Sequence, residues 1–382
     1  MPHDLKQQTK CVNSGIGDDA AYGAVTPPLY LSSTYKFPGF GDMGKYDYGR
    51  GGNPNRDALA DALTALEGGA GAVVTSSGMA AIDLVLNLVP RGGLVLAPHD
   101  CYGGTFRLLL SRQEQGRFKV AFINQTTPDA PDTIRSQNPD LILIETPSNP
   151  LMRVSDIAAL SQAAHDAGAL AVCDNTFLSP ARQTPLALDA DIALHSTTKF
   201  INGHSDVVGG AVISGTQDLA EKLAWWANCT GVTGAPFDAY QTLRGLRTLH
   251  ARMDVQEKNA RQIVDFLHQQ DLVKRVYYPQ NALAQKQQSG PGAMLSFELK
   301  TAPEHLQSFF KDAGILQFAE SLGGTESLIC HPATMTHRAM STDDRETAGI
   351  SQTLVRMSVG MEHQDDLILA LSRMFSNLNS TE

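Results

Sequence analysis

A lysine that follows a run of hydroxyl residues is the first candidate for chemistry in this chain. Lys199 comes directly after the hydroxyl residues 196–198, which follow the apolar segment 192–194. Upstream, the apolar segment 169–173 ends in Asp174, and open parallel sheets bind ligands at the ends of such strands. An acid that keeps a pyridine nitrogen protonated and an amine that forms a Schiff base are what pyridoxal 5'-phosphate (PLP) requires of a protein. The pair Asp174 and Lys199 therefore predicts PLP chemistry.

A second candidate is an anion site where a strand meets a helix. Ser77 is suited to cap a helix beginning at Gly78, and Gly78 allows a phosphate to approach the backbone closely. Free N–H groups at helix starts bind phosphate, although a Ser-Gly pair before a helix is also an ordinary cap. The hydroxyl groups of Ser196 and Thr198 could complete such a phosphate site.

Motifs of other enzyme classes are incomplete. The segment 69–74 has two glycines of the G-x-G-x-x-G dinucleotide fingerprint but lacks the third, which disfavours a dehydrogenase. A Ser-x-x-Lys pair is present at 196–199, but the companion motifs of acyl-transfer hydrolases are missing.

Arg356 is a candidate for binding a carboxylate. It alternates with Val355, Met357 and Val359 in a strand-like segment, so it leaves the strand on the face opposite those residues. A partly buried arginine needs an anion, and a planar guanidinium suits a substrate carboxylate. An internal ion pair is the structural alternative.

Composition excludes several classes of protein. With 42% hydrophobic and 18% charged residues, the 382-residue chain is typical of a globular enzyme. A net charge of -10 without a basic stripe disfavours nucleic acid as a partner. No signal peptide or membrane-length segment is visible, so we expect a cytoplasmic protein with its five cysteines reduced. We expect no metal site. Four histidines could suggest one, but they are not spaced in the sequence as metal ligands are: His195, His204, His331 and His337.

Short apolar strands alternate with helices from about residue 56, which predicts an α/β fold with a largely parallel sheet. We expect a helix capped by Ser155 and a long amphipathic helix over 238–270. The predicted domains are an arm (1–50), a cofactor domain (51–245) and a smaller C-terminal α/β domain (246–382).

Linked motifs run through most of the chain. Six of them are Tyr46-Asp-Tyr-Gly-Arg50, Gly52-Asn-Pro-Asn-Arg56, Asp100-Cys-Tyr-Gly-Gly104, Glu145-Thr-Pro-Ser-Asn-Pro150, Asp174-Asn-Thr-Phe177 and His195 to Asp206. Through them the chain resembles the Cys/Met-metabolism family of PLP enzymes, the transsulfuration group of fold type I. Similarity to the γ-replacing members of that family extends to Trp225-Trp-Ala-Asn228, Gly231-Val-Thr-Gly234, Glu320-Ser-Leu-Gly-Gly324 and His331-Pro-Ala-Thr-Met-Thr-His337.

The resemblance implies a role for each matching residue. Lys199 is expected to bind PLP covalently and to act in catalysis with Tyr102, which stacks on the cofactor ring. Asp174 is expected to pair with the pyridine nitrogen and Asn149 with the phenolic oxygen. The residues expected to hold the phosphate are Gly78, Met79, Ser196 and Thr198, with Tyr48 and Arg50 reaching it from a neighbouring subunit. The expected substrate contacts are Asp47, Arg107, Ser321, Glu326 and Arg356.

The implied reaction is γ-replacement in methionine biosynthesis, in which O-succinyl-L-homoserine and L-cysteine give L-cystathionine and succinate. The implied assembly is a homotetramer whose active sites are shared between two subunits. Gly51 stands where succinyl-using relatives carry a second arginine, so O-acetylhomoserine is an alternative donor. A second alternative is γ-elimination of cystathionine to cysteine, 2-oxobutanoate and ammonia. A PLP-fold protein without catalysis would be expected to lose Lys199, Asp174 or Tyr102.

Overall fold

The computed structural model describes residues 5–17, 19–338 and 340–379. The chain forms two compact units, each built from two segments. The first unit comprises Met1–Val89 and Val172–His250, and the second comprises Pro90–Ala171 and Ala251–Glu382. The predicted arm and domain boundaries divide the chain differently and remain predictions.

Strands and helices alternate along the described residues. The strands are β1 (Gly71–Thr75), β2 (Leu94–Pro98), β3 (Lys119–Ile123), β4 (Leu141–Glu145), β5 (Leu170–Asp174), β6 (Ile192–His195), β7 (Gly210–Ser214), β8 (Val273–Tyr277), β9 (Met294–Leu299), β10 (Gln317–Phe318), β11 (Leu328–Cys330) and β12 (Leu354–Ser358). The α-helices are α1 (Gln7–Val12), α2 (Pro54–Glu67), α3 (Gly78–Leu86), α4 (Gly103–Glu114), α5 (Ala130–Gln137), α6 (Ile157–Asp166), α7 (Ser179–Arg182), α8 (Gln217–Thr230), α9 (Pro236–Leu246), α10 (Leu249–His268), α11 (Ala282–Gln287), α12 (Leu306–Phe310), α13 (Thr342–Ala348) and α14 (Gln364–Asn379). Short 3-10 helices cover Pro185–Leu188 and Pro303–His305.

In the first unit the strands lie in the order β1-β7-β6-β5. β5 and β6 are parallel, with Asp174 opposite Leu194, whereas β7 is antiparallel to both β6 and β1. Because the carboxyl ends of β5 and β6 lie at one edge of the sheet, the loop that carries Lys199 begins beside the strand that ends in Asp174.

The helix before β1 ends at a glycine, and the helix after β1 begins at the serine cap that the sequence predicts. α2 ends at Gly68, whose φ of 75° is the left-handed conformation that glycine adopts at little cost. α3 begins at Gly78, and the Ser77 side chain accepts a hydrogen bond of 3.1 Å from the Ala80 N–H. This cap leaves the first N–H groups of α3 without helical partners, as at every helix start.

The second unit contains three neighbouring parallel strands and a separate five-stranded sheet. Strands β4, β2 and β3 are neighbours in that order and all parallel. A five-stranded sheet has the order β10-β11-β12-β9-β8 and is antiparallel except for the β10–β11 pair. Phe297, Phe309 and Phe375 pack together in the core of this unit. The predicted α/β fold with mostly parallel strands beside a smaller α/β part is confirmed.

Two expectations about helices were wrong. The α6 cap is Asp156, whose side chain accepts from the Ala159 N–H at 3.0 Å; the Ser155 N–H instead donates to the Thr146 hydroxyl. The long helix expected over 238–270 is two helices, α9 and α10. Both the N–H and the hydroxyl of Thr248 donate to the Gly245 carbonyl, and this tight turn ends the regular ladder of α9.

No helix among the described residues is both long enough and apolar enough to span a lipid bilayer.

Candidate functional site

In the first unit, one hydroxyl group joins Asp174 to the loop that carries Lys199. Asp174 Oδ1 accepts from the N–H of Thr176 at 3.0 Å and from its hydroxyl at 2.5 Å. The same hydroxyl accepts from the Ser196 N–H at 2.9 Å. Thr176 was not singled out in the sequence, although a threonine two residues after an aspartate is a common turn pattern that could have indicated it.

The Asp174 carboxyl lies in an environment that suits a cationic partner. Burial raises the pKa of Asp174, and the Thr176 hydrogen bonds and a charge at His195 act in the opposite direction. Both hydrogen bonds use Oδ1, so Oδ2 has no hydrogen-bond partner among the described residues. A protonated pyridine nitrogen could offset the cost of burying the ionised carboxylate. These features fit the predicted contact between Asp174 and the PLP ring.

Lys199 lies in a turn directly after β6 and is half-buried. Its N–H donates to the Ser196 carbonyl at 3.2 Å, and its carbonyl accepts from the Gly203 N–H at 2.8 Å. The next two residues, Phe200 and Ile201, are at most 1% exposed. The backbone that carries the lysine is therefore anchored on both sides.

The start of α3 and the loop after β6 form a cradle for an anion. A Cβ placed on Gly78 would lie 2.7 Å from Ser196 Cβ and 3.0 Å from its hydroxyl oxygen, so only glycine allows this approach. The free N–H groups at the start of α3, which include those of Gly78 and Met79, thus lie beside the Ser196 hydroxyl. Donors grouped at a helix start suit the phosphate of PLP.

Thr198 was also expected at the phosphate, but its hydroxyl group has other partners. The hydroxyl donates to the Gly209 carbonyl at 3.1 Å and accepts from the Gly209 N–H at 3.0 Å. A phosphate contact from this side chain would therefore require the hydrogen bond to Gly209 to be exchanged.

The predicted arm residues Asp47, Tyr48 and Arg50 lie at the surface of the first unit. Asp47 Oδ1 accepts from the Tyr48 N–H at 2.5 Å, and Arg50 Nε donates to Asn228 Oδ1 at 3.1 Å. The buried guanidinium of Arg56 donates to the carbonyls of residues 49 and 50, which fixes this turn to α2. The Tyr48 side chain remains exposed.

In the second unit, Asn149 and Arg356 form a hydrogen-bonded pair. Arg356 Nη1 donates to Asn149 Oδ1 at 2.9 Å, and Nη2 donates to the Ser321 carbonyl at 2.9 Å. Because a guanidinium only donates, the Asn149 oxygen must face it, which leaves the amide nitrogen as a donor for another oxygen. The predicted neighbours Arg356 and Ser321 are in contact.

Arg356 is 3% exposed, and its two acceptors are neutral oxygens. No carboxylate of the described residues forms an ion pair with Arg356, so the internal ion pair considered for it is absent from the part of the chain that the structure describes. A buried cation without a counter-charge attracts an anionic ligand. The arrangement suits the α-carboxylate of an amino acid.

His337, which the sequence suggested only as a structural histidine, supports Asn149 from the backbone side. Its Nε2 donates to the Asn149 carbonyl at 3.1 Å. Burial first, and then the charge of Arg356, lower the pKa of His337 to about 3, so the imidazole is neutral at physiological pH. The signal that could have indicated it is its place in the matching segment 331–337.

The remaining predicted residues of the second unit are more exposed. Tyr102 precedes α4 with its side chain 40% exposed, and Arg107 lies on the exposed surface of α4. Arg107 makes no hydrogen bond or ion pair with another described residue. Glu326 is half-buried just before β11 and accepts from the Thr325 hydroxyl at 3.4 Å.

Comparisons with known proteins identify the family of the chain. Residues 8–376 match the family described as Cys/Met metabolism PLP-dependent enzyme. The chain is 51% identical over 381 residues to cystathionine gamma-synthase of Escherichia coli, covering 98% of this chain and 99% of that protein. It is 39% identical over 380 residues to cystathionine gamma-lyase of Dictyostelium discoideum, covering 98% of each.

Solved structures show the same likeness. The crystal structure of cystathionine gamma synthase from Xanthomonas oryzae, in complex with cystathionine, has a TM-score of 0.97 and 50% identity, covering 99% of this chain and 100% of that chain. The chain is therefore a fold type I, PLP-dependent enzyme. It belongs to the Cys/Met metabolism family of PLP-dependent enzymes.

Proposed function

We propose that this enzyme catalyses γ-replacement, in which O-succinyl-L-homoserine and L-cysteine give L-cystathionine and succinate. The observation that carries the proposal is the 51% identity, over nearly the whole chain, to a gamma-synthase. The buried Arg356 supports it, because both amino-acid substrates and the product carry an α-carboxylate.

PLP, when bound, supplies an electron sink for carbanions at the substrate carbon atoms. Lys199 holds the cofactor covalently and then moves protons at Cα and Cβ of the substrate. The Asp174 carboxylate keeps the ring nitrogen protonated, while the start of α3 and Ser196 hold the phosphate. Tyr102 sets the plane of the ring and assists the deprotonation of the amine or thiol.

Substrate recognition follows from the charges in the second unit. Arg356, together with Asn149 and Ser321, binds the α-carboxylate of the substrate, and the Asn149 amide nitrogen donates to the phenolic oxygen of the cofactor. Glu326 shapes the distal part of the substrate pocket.

Within the proposed substrate pocket, the acyl group of the donor has the fewest contacts. Arg107 has a guanidinium free to pair with a succinyl carboxylate, and Asp47 lies in the arm as a further polar contact. Gly51 removes one expected partner of the succinyl group, so O-acetylhomoserine is the alternative donor.

Cystathionine γ-elimination is the second candidate function. It is favoured by the 39% identity to a gamma-lyase reported above. The lyase reaction uses the same cofactor and an equivalent lysine, so the two proposals differ mainly in what the substrate pocket accepts.

We also propose a homotetramer, with domains divided near residues 50 and 245. The arm supports this assembly because it exposes large apolar side chains that another subunit would cover, among them Tyr22, Leu31, Phe37 and Phe40. In this proposal, Tyr48 and Arg50 serve the phosphate of the neighbouring subunit.

Product analysis tests the reaction directly. Purified, PLP-loaded protein is given O-succinylhomoserine with and without cysteine, O-acetylhomoserine with cysteine, and cystathionine alone. The proposal expects cystathionine to accumulate only with cysteine and faster from the succinyl ester. Consumption of cystathionine to cysteine and 2-oxobutanoate, with the ester left intact, would establish the lyase instead.

A further inference from the structure

Glu145 connects two residues of the candidate site through their backbones. It is the last residue of β4, and it is 9% exposed. Its Oε2 accepts from the Tyr102 N–H at 2.9 Å, and its Oε1 accepts from the Asn149 N–H at 2.9 Å. Tyr102 follows β2 and Asn149 follows β4, so one side chain joins the loops that leave two neighbouring parallel strands.

A second carboxylate joins the same two loops at another point. Asp100 Oδ2 accepts from the Ser148 hydroxyl at 2.8 Å and from Arg153 Nη1 at 2.9 Å. These contacts involve side chains of the second loop, whereas those of Glu145 hold the peptide groups of Tyr102 and Asn149 themselves. Glu145 is therefore the more direct link between the two candidate residues.

Only a carboxylate can make both contacts of Glu145. Each backbone N–H needs an acceptor, and the two oxygens of Glu145 supply one each. A glutamine has the same shape but one acceptor and one NH₂ group, so one backbone N–H would face another donor. Burial, and then the negative charges of Glu145 and Asp100, raise the pKa of the nearby Cys101 thiol well above its ordinary value.

We propose that Glu145 is a positioning residue that fixes Tyr102 and Asn149 relative to each other. Tyr102 contacts the face of the cofactor ring and Asn149 contacts its edge, so their spacing sets how the ring is held. This inference rests on the proposed function for those two roles. Because an error of about 1 Å in such a site can cost a hundredfold in rate, a weak link here has a measurable effect.

The test compares Glu145→Gln with Asp140→Asn in the holoenzyme. Asp140 directly precedes β4, at the opposite end from Glu145, and its Oδ2 accepts from a single backbone N–H, that of Leu94, at 2.8 Å. An asparagine can keep that single contact, so this substitution is a matched control. Glu145→Asp is a third variant that keeps both acceptors on a shorter side chain.

The measurements are the visible circular dichroism of bound PLP, its dissociation constant, kcat, KM and the melting temperature. We expect Glu145→Gln to alter the dichroic band and to lower kcat/KM by about ten- to a hundredfold. Asp140→Asn should stay within about twofold of wild type, and Glu145→Asp should lose less than Glu145→Gln.

Two outcomes would overturn the proposal. One is a Glu145→Gln enzyme with the dichroic band and kcat/KM of wild type. The other is a loss of activity that only follows the unfolded fraction, with a wild-type band for each bound PLP. If the wild-type enzyme makes no cystathionine, the proposed function fails, but the dichroic band and the PLP dissociation constant still decide the role of Glu145.

Discussion

The loops that carry Asp174 and Lys199 in the first unit are joined by a contact near in sequence, whereas the side chain and carbonyl of Asn149 in the second unit are held by residues far away in sequence. Thr176 joins Asp174, two residues before it, to Ser196, 20 residues after it. Asn149 instead receives hydrogen bonds from His337, 188 residues away, and from Arg356, 207 residues away.

The two units also differ in the chemical groups that they carry. The first unit carries an amine, a carboxyl group and an anion cradle, which are the groups that PLP chemistry requires. The second unit carries the buried cation of Arg356, a group that binds a substrate carboxylate, and the amide of Asn149, which is oriented to hold the cofactor. We therefore expect changes in the first unit to act mainly on kcat and changes at Arg356 to act mainly on KM.

The largest effect is expected for Lys199→Ala. The variant loses the only group proposed to move protons at Cα and Cβ, so turnover should fall by at least about a thousandfold. Steady-state assays and the visible absorbance of bound PLP measure this. Lys222→Ala is a control, because Lys222 is an exposed lysine of the same unit, and it should keep full activity.

Arg356→Lys should raise KM for the amino-acid substrates by about ten- to a hundredfold and change kcat much less. A lysine keeps the charge, but it cannot donate to Asn149, to Ser321 and to a carboxylate with the geometry of a guanidinium. Arg261→Lys, at an exposed arginine of the same unit, is the control. A fall in kcat with unchanged KM would place Arg356 in the chemical step and break the division.

Thr176→Val should lower kcat/KM about tenfold and shift its pH dependence. The side-chain hydrogen bond from the Thr176 hydroxyl lowers the pKa of Asp174 against the effect of burial. Valine removes this bond and keeps the backbone N–H bond, so the pKa of Asp174 rises further. The carboxylate is lost as pH falls through this pKa, and the acid limb of kcat/KM should therefore move to higher pH. Thr176→Ser keeps the hydroxyl and should keep the wild-type pH profile of kcat/KM. A Thr176→Val enzyme whose pH profile matches that of wild type would exclude a role of Thr176 in setting the pKa of Asp174.

Gly51→Arg should raise kcat/KM for O-succinylhomoserine by up to about tenfold, as expected for one added charge-assisted hydrogen bond. A Cβ at this position would lie 3.5 Å from its nearest neighbour, the Tyr48 carbonyl oxygen, which is an ordinary van der Waals contact. The acetyl ester and the uncharged variant Gly51→Met are the controls. An equal gain with both esters would argue against recognition of the succinyl carboxylate.

The smallest effect on activity is expected for His337→Gln, which tests stability. The folded-state pKa of about 3 is depressed, so the stabilising contribution of neutral His337 is intact above the unfolded pKa of about 6.5 and is lost as pH falls. Between pH 6.5 and 5, wild type should lose about 2 kcal/mol from this group. His337→Gln should flatten that dependence, whereas His363→Gln, at an exposed histidine, should not. Identical pH profiles of melting temperature for wild type and His337→Gln would contradict the account.

Local patterns in the sequence predicted much of the first unit. The bounds of β1 and the start of α3 follow from an apolar run, a serine cap and a glycine, all within a few residues of each other. Asp174 and Lys199 could be recognised because Asp174 ends a short apolar strand and Lys199 lies in the turn that follows the next one. The role of Thr198 could not be read in this way, since its hydroxyl is bonded to Gly209, 11 residues further on.

Most contacts among the candidate residues of the second unit could be recognised only from the structure. A strand pattern indicated that Arg356 points away from its apolar neighbours, but no local signal shows that Asn149 would be its acceptor. The hydrogen bonds of Glu145 to Tyr102 and Asn149 depend on two loops that meet only when β2 and β4 pair. Such contacts are set by tertiary packing, which local residue spacing does not encode.

Exchange of the substrate Cα proton with D₂O, followed by NMR, tests the division between the two units most directly. Wild type, Lys199→Ala and Arg356→Lys would each be measured over a range of O-succinylhomoserine concentrations. The account predicts no exchange by PLP-loaded Lys199→Ala, and near wild-type exchange by Arg356→Lys once substrate saturates the enzyme. Exchange at the wild-type rate by Lys199→Ala would contradict it.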